Sequence, residues 1–236
     1  MDLSEELKNH LLAQGTALVG YGDLSSVPGC AFPRGVAIAV PVPANIVSEI
    51  MDGPTPAYFD TYHHLNAELD RIAMSAEALL NSRGYSAFAQ TTSRIRENEN
   101  CCTPLPHKTV AVRAGIGWIG KSCLLVTKEF GSAVRITSIL TDAPLRCGVP
   151  ALASNCGSCM QCVKACPAQA LSGRNWGLHT GREAIVDIHA CQKKQVELSR
   201  EKAGMDSEFL CGKCFAICPY SLNYIKASTK NGTVSN

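Results

Sequence analysis

The sequence predicts an α+β protein with two domains, a larger domain of mixed helices and strands over residues 1–147 and a small cysteine-rich domain over residues 148–236. Three observations support this fold class. Apolar residues of the first part alternate between helical and strand-like spacing. Eight of the thirteen cysteines fall in the second part. The composition, with 46% hydrophobic and 18% charged residues, is typical of a chain that buries a core.

The first domain opens with an amphipathic helix, which the spacing of Leu3, Leu7 and Leu11 predicts. Two apolar runs, TALVGYG and GVAIAVPV, follow it and predict buried strands. A helix that is followed by strands of this kind indicates a mixed layer of helix and sheet.

The rest of the domain is predicted from longer patterns. The longest helix is YHHLNAELDRIAMSAEALLNSRG, whose apolar residues repeat every three or four positions and whose Gly84 supplies a stop. Three further elements follow it: a strand at YSAFAQ, a Thr-capped helix at TPLPHKTVAVRAG, and a β-hairpin around Gly131 at LLVTKEFGSAVRITSILTD. The loop TDAPLRCGVP then marks the predicted domain boundary.

The cysteines of the second domain repeat a pattern that four-iron clusters use. The run CGSCMQCVKACP places Cys156, Cys159 and Cys162 at two-residue gaps, and Cys166 follows after three residues and precedes a proline. In two-cluster ferredoxins such a run gives three thiolates to one 4Fe-4S cluster and its fourth thiolate to the other. The sequence therefore predicts a second half.

That second half is CGKCFAICPY, and one further cysteine stands alone between the two runs. Structural zinc is the alternative, because two CxxC pairs can hold one zinc ion, but zinc has no use for the extra cysteine and proline in each run. Crossing the ligands in the ferredoxin manner uses all eight thiolates. It predicts cluster one from Cys156, Cys159, Cys162 and Cys218, and cluster two from Cys166, Cys191, Cys211 and Cys214.

Composition and charge argue against several other classes of protein. The polar start of the chain and the lack of a long apolar run predict a cytoplasmic protein without a membrane partner. Cytoplasmic thiols are kept reduced, which favours metal ligation over a disulfide scaffold. The 22 basic and 20 acidic residues give a net charge of +2, which does not predict nucleic-acid binding.

The segment GIGWIGK is a second candidate site. Its Gly115, Gly117 and Gly120 match the GxGxxG fingerprint of dinucleotide-binding folds. The stretch that follows is too short and too β-branched for the crossover helix of such a fold, so nicotinamide binding is not predicted. We interpret the glycines as a loop that lets the backbone approach another ligand. Trp118 and Lys121 either contact that ligand or are a core tryptophan and a solvated lysine.

Together, the motifs YHHLNAELDRIA, AGIGWIGKSCLLV, FGSAVRITSILTDAPL and the two cysteine runs resemble the epoxyqueuosine reductase family, relatives of the reductive dehalogenases. The resemblance implies a nitroreductase-like, corrinoid-type α/β domain followed by a small two-cluster ferredoxin-like domain. It implies two 4Fe-4S clusters and cobalamin as cofactors, with cobalamin or a small-molecule substrate reduced between the domains. It also implies the same eight cysteine ligands.

The chain departs from the family pattern at two points. Laid against this sequence without gaps, the acid-catalytic aspartate of the reductases falls on Cys101, so the proton donor is predicted among Cys101, Glu99 and His107. The sequence continues only to residue 236, without the helical repeats that help the reductases to grip tRNA. We therefore expect no nucleic-acid partner. The motif DIHACQ resembles a corrinoid-binding DxHxxG motif but lacks its glycine, and is not interpreted as a site.

The sequence thus predicts an iron-sulfur reductase that takes electrons from a ferredoxin- or flavodoxin-type donor. The alternative is a non-enzymatic electron carrier, whose first domain docks a partner redox protein and reduces that partner's cofactor. A third interpretation, reduction of epoxyqueuosine in tRNA, is implied by the resemblance alone.

Overall fold

The computed structural model describes residues 2–206 and 209–232, and within them helices and strands are mixed as predicted. The helices are α1 (Leu3–Ala13), α2 (Ala44–Glu49), α3 (Pro56–Ser82), α4 (His107–Arg113), α5 (Gln161–Ala165), α6 (Ile188–Ala203), α7 (Lys213–Ala216) and α8 (Pro219–Gly232). The strands are β1 (Leu18–Asp23), β2 (Arg34–Pro41), β3 (Ala87–Ala89), β4 (Trp118–Ile119), β5 (Leu125–Val126) and β6 (Val134–Thr141).

Four strands form the main sheet, in the order β1-β2-β6-β3. β1 and β2 pair antiparallel, with Leu18 opposite Ala39 and Asp23 opposite Arg34. β3 pairs antiparallel with the end of β6. The inner part of β2 is buried on both faces, as its continuous apolar run predicts.

The chain divides into two compact units, and each is assembled from separate stretches of sequence. The first unit consists of residues 1–41, 64–117 and 135–151, and the second consists of residues 42–63, 118–134 and 152–236. The second unit therefore includes stretches that precede the cysteine runs by many residues. The domain boundary at residues 147 and 148 stays a prediction.

The opening helix is confirmed, and its start has a clear physical cause. The Asp2 carboxylate accepts a hydrogen bond of 2.9 Å from the backbone N–H of Ser4, which caps α1. Leu7 and Leu11 are fully buried, as their spacing predicts. Both early strands are confirmed as well, as β1 and β2.

Two helices begin elsewhere than predicted. α3 already begins at Pro56, because a proline fits the first turn of a helix, where no backbone N–H is needed. α4 begins at His107 with Pro106 as its N-terminal cap, so the predicted Thr-capped start at Thr103 is wrong. A residue that precedes proline disfavours the helical region, and this stretch contains both Pro104 and Pro106.

The predicted hairpin around Gly131 is also wrong in its strands, although the turn exists. Thr127 and Gly131 exchange two backbone hydrogen bonds, of 2.8 and 3.1 Å, around a tight turn. The strand before the turn, β5, pairs with β4, whereas the strand after it, β6, joins the main sheet. Strand partners depend on contacts distant in sequence, and local propensity does not select them.

Within the described residues, none of the helices has both the length and the apolar character that crossing a membrane requires.

Candidate functional site

The second unit brings the thiols of the two cysteine runs close to one another. Burial and, to a smaller extent, the neighbouring thiols of Cys156, Cys218 and Cys159 raise the pKa of Cys162 to about 11. Burial also raises the pKa of Cys218, on which Cys156 and Cys159 act in the same direction. These four are the cysteines that the spacing predicts for cluster one.

The other four cysteines influence one another in the same way. Burial raises the pKa of Cys211, with further contributions from Cys191 and Cys166. Burial raises the pKa of Cys214, and the thiols of Cys211, Cys191, Cys162 and Cys166 add to the effect. Cys162 belongs to the first set, so the two groups of thiols are neighbours of each other.

An apolar cluster lies against three cysteines of the second set and one of the first. Its buried members are Cys123, Ala170, Leu171, Ile185 and Val186, and Cys162, Cys166, Cys191 and Cys214 pack against them. Apolar surroundings limit the access of solvent to a redox group and so influence its potential. Within the described residues, no three His, Cys, Asp or Glu side chains are grouped to hold a single metal ion, whereas a four-iron cluster takes one thiolate on each of its irons and so spaces its ligands more widely.

A short hairpin of the second unit, residues 118–126, lies against the cysteine runs. In it, Trp118 pairs with Val126 and Ile119 with Leu125, and residues 120–124 form the turn. A side-chain carbon added at Gly120 would lie 2.7 Å from Val126 Cγ2 and 3.5 Å from Cys156 Sγ. The glycine is therefore favoured by the close packing of the hairpin on its own Val126, and it lies within ordinary contact distance of the first cysteine run.

The hairpin also contacts both runs through its side chains. The Lys121 Nζ donates to Met160 Sδ at 3.5 Å, and Met160 lies between Cys159 and Cys162 in the sequence. The Trp118 ring meets the Tyr220 ring edge-on, with centroids 5.1 Å apart. Tyr220 lies two residues after Cys218. The hairpin therefore contacts residues that are close in sequence to the cysteines of the first run and to Cys218.

Trp118 and Lys121 are buried, and sequence patterns alone could not decide this. Trp118 is 3% exposed and Lys121 is 5% exposed. The Trp118 Nε1 has no hydrogen-bond partner within the described residues. A buried ammonium and an unpaired buried indole N–H both favour a negatively charged or hydrogen-bond-accepting neighbour. The alternative of a solvated lysine is wrong, because Lys121 is removed from water.

The first glycine of the loop, in the first unit, packs against the protein itself. Gly115 has a φ of +73°, and a side-chain carbon there would lie 2.3 Å from the backbone oxygen of Val149. The space that a ligand would use at Gly115 is taken by the chain, as it is at Gly120. These two glycines therefore do not fit the role of a cobalamin cradle, and the assignment of Gly115, Gly117 and Gly120 to cofactor binding stays a prediction.

His107 belongs to a group of polar side chains in the first unit that the sequence analysis missed. Its Nδ1 lies 2.8 Å from Ser138 Oγ, and Gln90 Nε2 donates to the same Oγ at 2.6 Å. Because Gln90 supplies a donor, the Ser138 hydroxyl can donate to Nδ1, which places the proton of a neutral imidazole on Nε2. In the sequence, the polar residues within the largely apolar run RITSIL could have indicated this group, and the structure shows that they are buried.

The electrostatics of this group keep His107 neutral. Burial and, to a smaller extent, the charge of Arg135 lower the pKa of His107 to about 4, and Asp70 opposes both effects. Arg135 donates to Asn66 Oδ1 at 2.8 Å, which holds the cation on α3. At neutral pH the imidazole is therefore a neutral hydrogen-bonding group and does not act as an imidazolium acid.

The other two predicted proton donors lie in a tight loop of the first unit. The backbone N–H of Asn98 donates to the Cys102 carbonyl at 2.9 Å, and the Asn98 side chain accepts from the N–H groups of Asn100 and Cys102, both at 3.0 Å. Cys101 has a left-handed φ of +53°. Glu99 is exposed. The catalytic roles of Cys101, Glu99 and His107 stay predictions.

The motif DIHACQ has a structural role. The Asp187 side chain accepts a hydrogen bond of 3.0 Å from the backbone N–H of Ala190 and so caps α6. That helix carries Cys191 on its first turn, so the cap helps to fix the position of a thiol that the spacing predicts for cluster two.

Comparison with known proteins confirms the resemblance. A 4Fe-4S double cluster binding domain matches residues 155–221, a range that contains all eight cysteines of the two sets. An epoxyqueuosine reductase of Listeria monocytogenes serovar 1/2a is 36% identical over 121 residues, which is 48% of this chain and 28% of that protein. The chain spans less than half the length of the curated relatives it matches, between 28% and 47%.

Solved structures show the same fold. A catabolic reductive dehalogenase, NpRdhA, aligns with a TM-score of 0.72 at 16% identity over 95% of this chain and 33% of that chain. An epoxyqueuosine reductase, solved with an epoxyqueuosine-modified tRNA-Tyr stem loop, aligns with a TM-score of 0.61 at 22% identity over 94% of this chain and 66% of that chain.

The comparisons show a chain that contains a 4Fe-4S double cluster binding domain and that shares its fold with solved reductive dehalogenase and epoxyqueuosine reductase structures. The chain is homologous to the epoxyqueuosine reductases, with structural similarity to the reductive dehalogenases. The expectation that nucleic acid is no partner is not supported, because one of these structural relatives was solved with a tRNA stem loop.

Proposed function

We propose that this chain is an iron-sulfur reductase of the epoxyqueuosine reductase type. In this proposal Cys156, Cys159, Cys162 and Cys218 hold one 4Fe-4S cluster, and Cys166, Cys191, Cys211 and Cys214 hold the other. The observation that carries the proposal is the match of a 4Fe-4S double cluster binding domain to residues 155–221, a range that contains all eight cysteines. When bound, such clusters relay single electrons at low potential.

The relatives favour a modified nucleoside in tRNA as the substrate. The curated homologues are named epoxyqueuosine reductase, and the tRNA stem loop bound to a structural relative carries that nucleoside. This substrate, first implied by resemblance alone, is better supported than an unspecified small molecule. The small net charge of +2 predicts that binding of tRNA by this chain weakens at modest salt concentrations.

The polar group around His107 is the candidate site for proton control in this reaction. A neutral imidazole with its proton on Nε2 can donate a hydrogen bond to a substrate oxygen, while Ser138 and Gln90 hold the ring in place. The proton that the reduction consumes must then come from another acid, and Glu99 and Cys101 remain the predicted donors.

Conversion of tRNA in cells tests this proposal. The chain is expressed in bacteria that lack epoxyqueuosine reductase, and epoxyqueuosine and queuosine in digested tRNA are quantified by mass spectrometry. We expect queuosine to appear with the intact chain and not with a Cys214→Ala variant. Full cluster content without any queuosine would contradict the substrate assignment and favour the electron-carrier alternative.

A further inference from the structure

The 118–126 hairpin places a buried cation next to the first cysteine set. The Lys121 side chain is 5% exposed, and within the described residues its Nζ contacts a single hydrogen-bond acceptor, the Met160 thioether. A thioether is a weak acceptor and carries no charge. Taking an ammonium out of water costs several kcal/mol unless an anion compensates for it. The position of Lys121 therefore favours an anion nearby.

The lysine is held in place from both sides. β4 and β5 pair on either side of the turn, and the N–H of Gly120 donates to the carbonyl of Leu124 at 2.9 Å. Its hydrogen-bond partner Met160 packs over Gly173, where a side-chain carbon would lie 2.5 Å from the Met160 methyl carbon. A long side chain fixed in this way holds its charge at one place.

Two further contacts connect the hairpin with the same four thiols. Gly120 packs near Cys156 Sγ, and Trp118 packs on Tyr220, which follows Cys218. Trp118 also brings a buried N–H that has no partner within the described residues. The hairpin thus presents one positive charge and one unpaired donor to the segments that carry the first cysteine set.

We propose that Lys121 sets the reduction potential of cluster one, the cluster assigned to Cys156, Cys159, Cys162 and Cys218. This inference depends on the cluster assignment of the proposed function but not on its substrate. Cluster one gains one electron from a low-potential donor, and its negative charge increases by one. A fixed positive charge stabilises the more negative state and so raises the potential.

The test is a redox titration of the anaerobically purified protein with dithionite, in which the signal of the reduced clusters is followed by electron paramagnetic resonance. The wild-type protein should show two one-electron waves. We expect Lys121→Met to lower the equilibrium constant for reduction of one cluster by at least about tenfold. For a one-electron couple this lowers the midpoint potential of that wave by about 59 mV, and the other wave should be unchanged. Lys121→Arg, which keeps the charge, should stay close to the wild-type value.

Lys164→Met is the matched control. Lys164 lies between Cys162 and Cys166 in the sequence but is exposed, so solvent and salt screen its charge and its removal should shift either wave much less. An unshifted wave in Lys121→Met, or an equal shift in Lys164→Met, would overturn the proposal.

Variants that fail to assemble the cluster are also informative. If Lys121→Met and Lys121→Gln both lose cluster one while Lys121→Arg keeps it, the positive charge is required and the proposal is supported. If Lys121→Arg loses it as well, the role is steric and the proposal is wrong. A wild-type protein without two clusters would instead contradict the ligand assignment of the proposed function, which iron analysis shows separately.

Discussion

Gly131 offers a direct test of how the position of Cys218 is fixed. Gly131 has a φ of +60°, and a side-chain carbon added there would lie 2.3 Å from the backbone N of Ser221 and 2.5 Å from its Oγ. The next residue, Ser132, donates its N–H to Ser221 Oγ at 3.1 Å. Ser221 lies three residues after Cys218 on the first turn of α8, so the turn at Gly131 supports this thiol.

The Gly131→Ala substitution should destabilise the folded protein for two separate reasons. An alanine in the left-handed region costs about 1–2 kcal/mol by itself. An ordinary contact requires about 3.4 Å, so Ser221 must also move by about 1 Å, and overpacking of this kind costs about 1–3 kcal/mol. Gly204→Ala is the matched control, because Gly204 has a φ of +65° and nothing lies within 4 Å of an added carbon.

The assay is iron content per chain after anaerobic purification, together with the temperature at which the cluster absorbance is lost. We expect Gly204→Ala to keep the full iron content with a modest loss of stability, and Gly131→Ala to lose about half of its iron because cluster one lacks a well-placed Cys218. Equal iron content and equal stability of the two variants would refute the reasoning that the Gly131 turn positions Cys218.

Three other predictions concern single side chains. His107 is neutral when folded, so its contribution to stability is fully present above the unfolded pKa of 6.5 and is lost as pH falls towards about 4. Unfolding titrations at pH 7.5 and 5 should show that His107→Asn removes about 1–2 kcal/mol of this pH dependence, and an unchanged pH dependence would contradict the burial of the imidazole. Cys218→Ala should damage the cluster built on Cys156, as seen by electron paramagnetic resonance, whereas damage confined to the other cluster would contradict the crossing. Asp187→Ala should remove about 1 kcal/mol of α6 capping and make the cluster held by Cys191 dissociate faster in a chelator, and an unchanged dissociation rate would show that the cap does not position this thiol.

The sequence predicted individual helices, strands and motifs better than it predicted which strands pair with each other. The cysteine spacing predicted the double 4Fe-4S domain that matches residues 155–221, because the cluster chemistry fixes which gaps are usable, whereas the division of the ligands between the clusters stays a prediction. The helical spacing of leucines predicted α1, and a continuous apolar run predicted β2. The pairing of β5 with β4 did not, since the register of a strand is decided by residues far away in the chain.

Burial of polar residues was the other feature that spacing could not supply. Nothing in GIGWIGK distinguishes a solvated lysine from the buried Lys121, because its neighbours come from the cysteine run about forty residues later. The contact of His107 with Ser138 joins a helix to a strand across a similar distance. The sequence therefore indicated which residues carry chemistry, whereas the fold was needed to show which of them are removed from water.

The central claim is that this chain holds two 4Fe-4S clusters on crossed ligands. Quantitative iron and sulfide analysis of the protein purified anaerobically tests it most directly. The account predicts about eight irons and eight sulfides per chain for the wild type, falling to about four of each when Cys218 is replaced by alanine. Stoichiometric zinc without sulfide, or a Cys218→Ala variant that retains the full iron and sulfide content, would contradict it.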